Sequence, residues 1–471
     1  MSSAQVLHNV CTATVARDLC VGCGVCAGVC PTANLTMGWT AYGRLQPTDI
    51  GRCLATCHRC LDVCPFQNHT ENEDTLAAAR FAQVPGILHT METGYYLSSY
   101  AGFAHERYRD RGASGGIASW VLVQLLERGM VDRVVCVRPT SDPNRLFQSS
   151  ICATGDEVRS GAKSAYYPVE FSDIIRTIHR EPARYAVVGL PCVLKALQLA
   201  LLTDARLRKC ITVMVGLVCG QLKSRGFTEY LLRTLDLDST CVQQVRFREK
   251  DVQKSASELI FTATDQYQTR SLPWSDRYGV AWHSGEFSLR ACDFCDDIFA
   301  EVADIACMDA WLPAYTSDGR GTSIALLRSE QLANLLQHGR HDGSLSLHPI
   351  PIDQVIASQM GVIRKKRMML AYRLAQTESG VSPQKRVQPI VPPPNIARQL
   401  VARAQVRDAS YVALHLQQET GEPGLTRYRE MMAPVLAHYA QAQRIPVWRR
   451  LMEAMRRRMT VVIHLIRGKK S

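Results

Sequence analysis

Three observations predict an α/β protein of mixed α+β character. Two dense cysteine runs fill residues 15–75, the pattern of an N-terminal ferredoxin-like domain. Residues 90–375 alternate apolar strand-like runs with helical patterning, which predicts a mixed-sheet α/β core. Residues 376–471 are basic and mostly helical in pattern behind a Pro-rich break at Pro389 and Pro392–Pro394. With 471 residues, 46% of them apolar, the chain can bury a full core.

After a short extension over 1–14, the first run is Cys20-Val-Gly-Cys23-Gly-Val-Cys26-Ala-Gly-Val-Cys30-Pro31. This is the bacterial C-x2-C-x2-C-x3-C-P arrangement, whose fourth cysteine serves the other cluster. Gly22, Gly24, Ala27 and Gly28 are small enough to let backbone amides approach the sulfurs. The second run, Cys53-Leu-Ala-Thr-Cys57-His-Arg-Cys60-Leu-Asp-Val-Cys64-Pro65, has one extra residue between its first two cysteines. The expected ligand sets are Cys20, Cys23, Cys26 with Cys64, and Cys53, Cys57, Cys60 with Cys30, each holding a [4Fe-4S] cluster. Leu35 to Pro47, with Gly38 and Gly43, reads as a hairpin between the runs. Zinc is the competing ligand, but its sites take four donors, usually as two separated pairs. Cys11 lies outside both runs and reads as an incidental thiol.

The core divides into 90–235 and 236–375. In its first half, Ile117–Leu126 reads as an apolar helix, Val131–Val137 as a strand, Tyr185–Val188 as a strand followed by helix Val193–Leu202, and Ile211–Val218 as a strand. Strands apolar on both faces point to a largely parallel sheet, whose ligands sit beyond the strands' carboxyl ends. Cys192 and Cys219 fall there. The second half carries Cys292-Asp-Phe-Cys295. Together the four thiols would suffice for one more cluster, although Cys192 and Cys219 could equally be buried core cysteines. Cys136, Cys152, Cys210, Cys241 and Cys307 lack partners at ligand spacing and read as core packing. Ser114-Gly115-Gly116 opens the helix at Ile117: either bare amides for a phosphate or a simple N-cap by Ser114. Lys163 and Tyr166 could serve a cofactor or lie on the surface.

As an ordered set, the double cysteine run, Ala113-Ser-Gly-Gly116, Gly161 to Tyr166, Val188-Gly-Leu-Pro-Cys192, Leu217-Val-Cys219-Gly, Arg246-Phe-Arg-Glu-Lys250, Arg290-Ala-Cys-Asp-Phe-Cys295 and Ala303-Asp-Ile-Ala-Cys-Met-Asp-Ala-Trp311 followed by Gly321-Thr-Ser323 resemble the beta-subunit family of coenzyme F420 hydrogenase and related dehydrogenases. The resemblance spans roughly residues 15–375. It implies FAD in the core beside a third cluster at Cys192, Cys219, Cys292 and Cys295. It makes Ser114, Gly115, Gly116, Lys163, Tyr166, Gly189 and Pro191 flavin-site candidates. The chain departs at Val193, where the family has Gln, and at Met308, where it has Gly. The resemblance implies an iron–sulfur flavoprotein that exchanges electrons with a ferredoxin-like donor or a deazaflavin coenzyme and acts on a small organic substrate. The alternative is a relay subunit inside a larger redox complex.

No acid–base pair emerges; Asp304, Asp309 and His283 lie near the last cysteine pair and each reads as structural. Residues 1–19 carry no apolar leader and no run of 18 apolar residues occurs, so the expected location is cytoplasmic. Net charge is +12, but residues 361–471 alone carry 21 Lys and Arg against 6 Asp and Glu. Arg364-Lys-Lys-Arg367 reads as a solvated helix face rather than a nucleic-acid patch. Val447–Ile466 is an amphipathic basic helix expected to dock on the protein or a partner, with peripheral membrane contact as the sharper alternative.

Overall fold

The structure is a computed structural model describing residues 9–68, 71–105, 107–377, 385–421 and 424–444. The amphipathic stretch 447–466 lies outside the described residues.

An eight-stranded sheet organises the core. Its spatial order is Leu345–Pro349, Ser98–Ala104, Ser323–Leu327, Ile305–Asp309, Ile211–Leu217, Tyr185–Gly189, Arg133–Pro139 and Phe147–Cys152. The middle four strands run parallel. The flanking pairings are antiparallel, so the sheet is mixed and the expectation of a largely parallel one holds only for its centre. Strand Tyr185–Gly189 is buried along its whole length because helices cover both faces of the sheet. Helices Ile117–Glu127 and Glu330–His341 pack on one face. Helices Pro191–Thr203 and Ser172–Arg180 pack on the other. Tyr185 to Leu202 is therefore a buried strand and helix, as its interrupted apolar pattern predicts. Among the described residues no helix is long and apolar enough to cross a membrane.

The cysteine-rich N-terminal segment folds around the antiparallel hairpin Leu35–Trp39/Leu45–Asp49, with short helices Val25–Gly28 and Arg59–Asp62. It docks on helix Ser172–Arg180 at close range. A Cβ on Gly28 would sit 2.8 Å from Ile175 Cβ, and one on Gly24 would run into the Glu170 carboxylate. Phe171 donates its amide to Cys23 O at 2.9 Å. Gly24 and Gly28 make room for the core at this junction.

A second antiparallel sheet, Gln244–Glu249, Ile260–Thr264 and Thr269–Pro273, closes over the carboxyl ends of the central strands. Helices Pro394–Glu419 and Thr426–Gln443 pack beside helices Arg225–Thr234 and Gly279–Ser284 through Val406, Tyr411, Leu414, Tyr428 and Met432, in one aromatic core with Phe227, Phe261 and Phe287.

Candidate functional site

The fold gathers the cysteines into three groups. The thiols of Cys20, Cys23, Cys26 and Cys64 face one another. Cys60 lies beside Cys30, Cys53 and Cys57. The exchange of fourth members arises because Cys30 and Cys64 each follow a one-turn helix that carries them across to the other run. Donors aim at the sulfurs: the Gly22 amide at Cys20 (3.4 Å) and the Asn34 amide at Cys30 (3.3 Å). The Thr14 hydroxyl is 3.5 Å from the Cys64 sulfur. Burial pushes the Cys23 thiol up to about 12 and the Cys60 thiol up to about 11. Iron would therefore have to displace a proton from each.

The third group assembles from the sheet. Cys192 opens helix Pro191–Thr203 just past the strand ending at Gly189, with Pro191 fixing the first helical turn. Cys219 follows strand Ile211–Leu217, and Cys292 lies in the turn Arg290–Phe294. Cys192, Cys219, Cys292 and Cys295 lie within electrostatic reach of one another. The Leu222 amide donates to Cys292 Sγ at 3.2 Å and the Lys366 ammonium to Cys295 Sγ at 3.1 Å. Burial pushes the Cys292 thiol up to about 12. Cys192 also faces Cys23, and Cys26 faces Cys60, so the three groups form a row. Its outer end is half-exposed at Cys53 and Cys57. Four thiols bearing amide and ammonium donors suit a cube whose corners each take one sulfur.

Beyond Cys219 the row meets a narrow cleft lined by Ser114, Arg248, Lys250, Asp309, Trp311 and Thr322, among others. Tyr166 is the link. Its ring lies 4.4 Å from Trp282, tilted, and 5.6 Å from Phe247, edge-on, within electrostatic reach of Arg248, Asp309 and Cys219. It is thus a packed residue, not a surface one, and burial raises its hydroxyl. Arg248 grips Asp309 with two bonds of 2.9 and 2.8 Å. Lys250 donates to Arg109 O and to Ser114 O (2.7 Å), and burial, with Arg248 and Arg109 nearby, brings its ammonium down to about 7. Lys163, at a left-handed φ of 100°, is paired with Glu249. An open groove of about 950 Å³ past Phe103, Arg109, Tyr315, His338 and His348 continues from the cleft.

The Ser-Gly-Gly turn departs from the simple N-cap expectation. The helix is capped by Gly116 in left-handed conformation with no side-chain cap, and the Ser114 hydroxyl donates to Thr322 O at 2.8 Å. The Gly115 amide is taken by Ser323 Oγ at 2.9 Å, so it is not bare for a phosphate. Arg248 and Lys250 have no assigned role in the sequence reading. Their only signal is the Arg246-Phe-Arg-Glu-Lys250 motif.

Lys366 is 3% exposed and Arg367 pairs with Glu301 at 3.1 Å, so Arg364–Arg367 is not a solvated face: the helix turns Lys366 inward. Asp304 binds Arg80 at 2.8 Å and the Met214 amide at 2.7 Å, a structural role as expected. Cys136, Cys152, Cys210 and Cys307 are buried, but Cys241 is exposed and packs into no core.

Models of the coenzyme F420 hydrogenase/dehydrogenase beta subunit match residues 99–176 (N-terminal part) and 183–353 (C-terminal part). The chain belongs to this family. A 4Fe-4S binding domain matches residues 13–36, so the beta-subunit chain carries an iron–sulfur centre in the N-terminal segment and is an iron–sulfur oxidoreductase chain. An uncharacterized protein of Methanocaldococcus jannaschii is 20% identical over 380 residues, 74% of this chain and 94% of that protein. A chain of the F420-reducing [NiFe] hydrogenase complex from Methanosarcina barkeri, solved as a xenon derivative, is 16% identical. It aligns over 64% of this chain and 99% of that one with a TM-score of 0.49.

Proposed function

We propose that the chain is an iron–sulfur flavoprotein. Three [4Fe-4S] clusters would sit at Cys20/Cys23/Cys26/Cys64, Cys30/Cys53/Cys57/Cys60 and Cys192/Cys219/Cys292/Cys295. They exchange electrons with FAD at the adjoining cleft and groove, where a small organic molecule or a deazaflavin coenzyme is reduced or oxidised. The observation that carries this reading is the succession of three thiol groups, whose neighbours Cys26 and Cys60, and Cys23 and Cys192, lie within electrostatic reach of each other, toward Tyr166 beside the cleft. Short steps between one-electron centres, leading to a site built for an organic molecule, are the layout of a converter between one- and two-electron chemistry.

The cleft itself encloses only about 10 Å³, so FAD would have to lie along the open groove of about 950 Å³ that shares Tyr315 and Thr322 with it. Trp311 and Tyr315 supply flat apolar surface for a ring, while Arg248 is already paired with Asp309 and Lys250 with two carbonyls. Flavin, when bound, contributes hydride transfer on one side and single-electron exchange on the other. The chain's own part is positional. Asp309 holds the Arg248 guanidinium in one orientation through two bonds. Lys250, tied to the carbonyls of Arg109 and Ser114, fixes the turn before helix Ile117–Glu127 against the cleft. Tyr166 and Trp282 fill the space between cleft and thiols, keeping water from the electron path. The open groove at Phe103 and Tyr315 gives a substrate its entry.

Anaerobic purification with iron, sulfide and flavin counted per chain tests the proposal. It predicts about twelve irons, about twelve sulfides and about one flavin, at four irons per cube. About eight irons and no flavin would leave a relay of two clusters and refute it.

A further inference from the structure

The cationic run Arg364–Arg367 lies beyond residue 353, where the family models end. It occupies a π-helical turn, Arg364–Met368, between helices Met360–Ile363 and Met369–Gln376. Such turns shift the register of a helix by one residue and often mark functional positions. Here Ile363, Lys366 and Leu370 are buried while Arg364 and Met368 are exposed. Lys366 is thereby carried under the third thiol group.

Two bonds hold its ammonium: Cys295 Sγ at 3.1 Å and Asp297 O at 2.9 Å. The nearby carboxylates are engaged elsewhere. Asp293 binds Arg407 at 2.6 Å and Arg373 at 3.4 Å. Asp296 binds Lys385 and Arg386, each at 3.4 Å. Glu301 binds Arg386 at 2.6 Å and Arg367 at 3.1 Å. Asp297 accepts the Glu301 amide at 3.2 Å. Among the described residues Lys366 forms no ion pair with a carboxylate, although the Asp297 carboxylate lies within electrostatic reach; its hydrogen-bond partners are the Cys295 sulfur and the Asp297 carbonyl. Lys365 also lies within electrostatic reach of Cys219 and Cys292, but burial brings its ammonium down to about 7, so it adds only part of a charge. The neighbouring ferredoxin group has a different balance. Cys23 faces the Glu170 carboxylate, and the lysine near Cys64, Lys195, is neutralised by Glu73 at 3.0 Å.

A buried cation lowers the free energy of whichever state of its neighbour carries more negative charge, and burial strengthens the effect. For a thiolate-bound cluster that is the reduced state, and charge with bonds to sulfur sets the potential. We infer that Lys366 is a positioning residue that raises the reduction potential of the centre at Cys192/Cys219/Cys292/Cys295 above that of its neighbour at Cys20/Cys23/Cys26/Cys64, so that electrons entering at the exposed end of the row run toward the cleft. The inference rests on the proposal that these thiols hold clusters.

The test is a potentiometric titration of the anaerobically purified holoprotein followed by EPR. The core couple is assigned as the signal missing in Cys295→Ala. In the unaltered protein the core couple is expected above its neighbour. Lys366→Met lowers it at least tenfold in reduction equilibrium, 59 mV for one electron, and leaves the other couples in place. Lys366→Arg, which keeps the charge, shifts it less than threefold. Twelve irons per chain with an unmoved core couple in Lys366→Met, or with the core couple below its neighbour in the unaltered protein, overturns this inference alone. About eight irons overturns the cluster proposal beneath it, and the inference with it. The order of potentials in the unaltered protein decides the matter even if Lys366→Met fails to load.

Discussion

Arg328 is the residue on which the third thiol group's supporting loop depends most. It is fully buried, and its guanidinium donates to five backbone carbonyls: Tyr95 (2.7 Å), Thr93 (3.1 Å), Phe299 (3.2 Å), Ala300 (3.2 Å) and Ala303 (3.1 Å). It thus ties the loop after Cys295 to the segment before strand Ser98–Ala104. Burial draws its own ionisation down to about 10, against the pull of Glu301, Asp297 and Asp304. Each bond from a charged donor contributes roughly 1.5–3 kcal/mol, about 8–15 kcal/mol in all. Returning a guanidinium to water regains several kcal/mol. Arg328→Met, which removes the charge but fills the space, is therefore expected to cost about 3–5 kcal/mol. Arg328→Lys, with three donors for five acceptors, should fall between. The assay is anaerobic thermal unfolding of the holoprotein followed by tryptophan fluorescence. A loss of this size lowers Tm by on the order of 10 °C. A fall of under about 2 °C in Arg328→Met would refute the argument, since it would mean the five carbonyls find partners without the guanidinium.

Other expectations follow from single contacts. Gly115→Ala would place a Cβ 2.5 Å from Gly102 O and 2.7 Å from the Ser323 amide. Both are backbone, so the strain is expected to cost about 1–3 kcal/mol, read as a lower unfolding midpoint in urea. Arg248→Ala leaves the Asp309 carboxylate without its two bonds and should cut flavin per chain to less than half while iron stays unchanged, by absorbance against iron assay. Lys250 titrates near 7 in the folded chain and at its ordinary 10.5 when unfolded. Between those values the unfolded chain holds the extra proton, so this group's penalty on stability is full below pH 7 and is relieved as pH rises. Tm measured from pH 7 to 10 should therefore climb more steeply, or fall less steeply, in the unaltered protein than in Lys250→Met. Parallel curves would show that Lys250 is not buried as described. Cys241→Ser touches an exposed thiol and should change neither Tm nor iron content.

The cysteine runs carry their pairing in the sequence because the spacing is local. Three thiols within seven or eight residues can wrap one corner of space only in a few ways, and a one-turn helix throws the next cysteine across to the other run. The hairpin at Leu35–Asp49, the buried strand Tyr185–Gly189 and the helix after it are legible for the same reason. Turn residues and runs apolar on both faces are short-range properties. The order of the outer strands is not legible. Ser98–Ala104, Ser323–Leu327 and Leu345–Pro349 meet across more than 200 residues, and nothing local in an apolar run states which neighbour it will pair with or in which direction.

What the amino-acid order supplies by itself is the set of candidate iron ligands and the proposed sharing of the first eight between two groups. Tertiary structure alone decides what surrounds them. It brings Cys192, Cys219, Cys292 and Cys295 together from three separate strand ends and turns. It sets Arg248 against Asp309 and turns Lys366 inward from what reads as a solvated run. The physical reason is that a charge has no preferred depth in a sequence. Its burial depends on what folds over it, and only the finished packing tells which cation remains unpaired beside a sulfur.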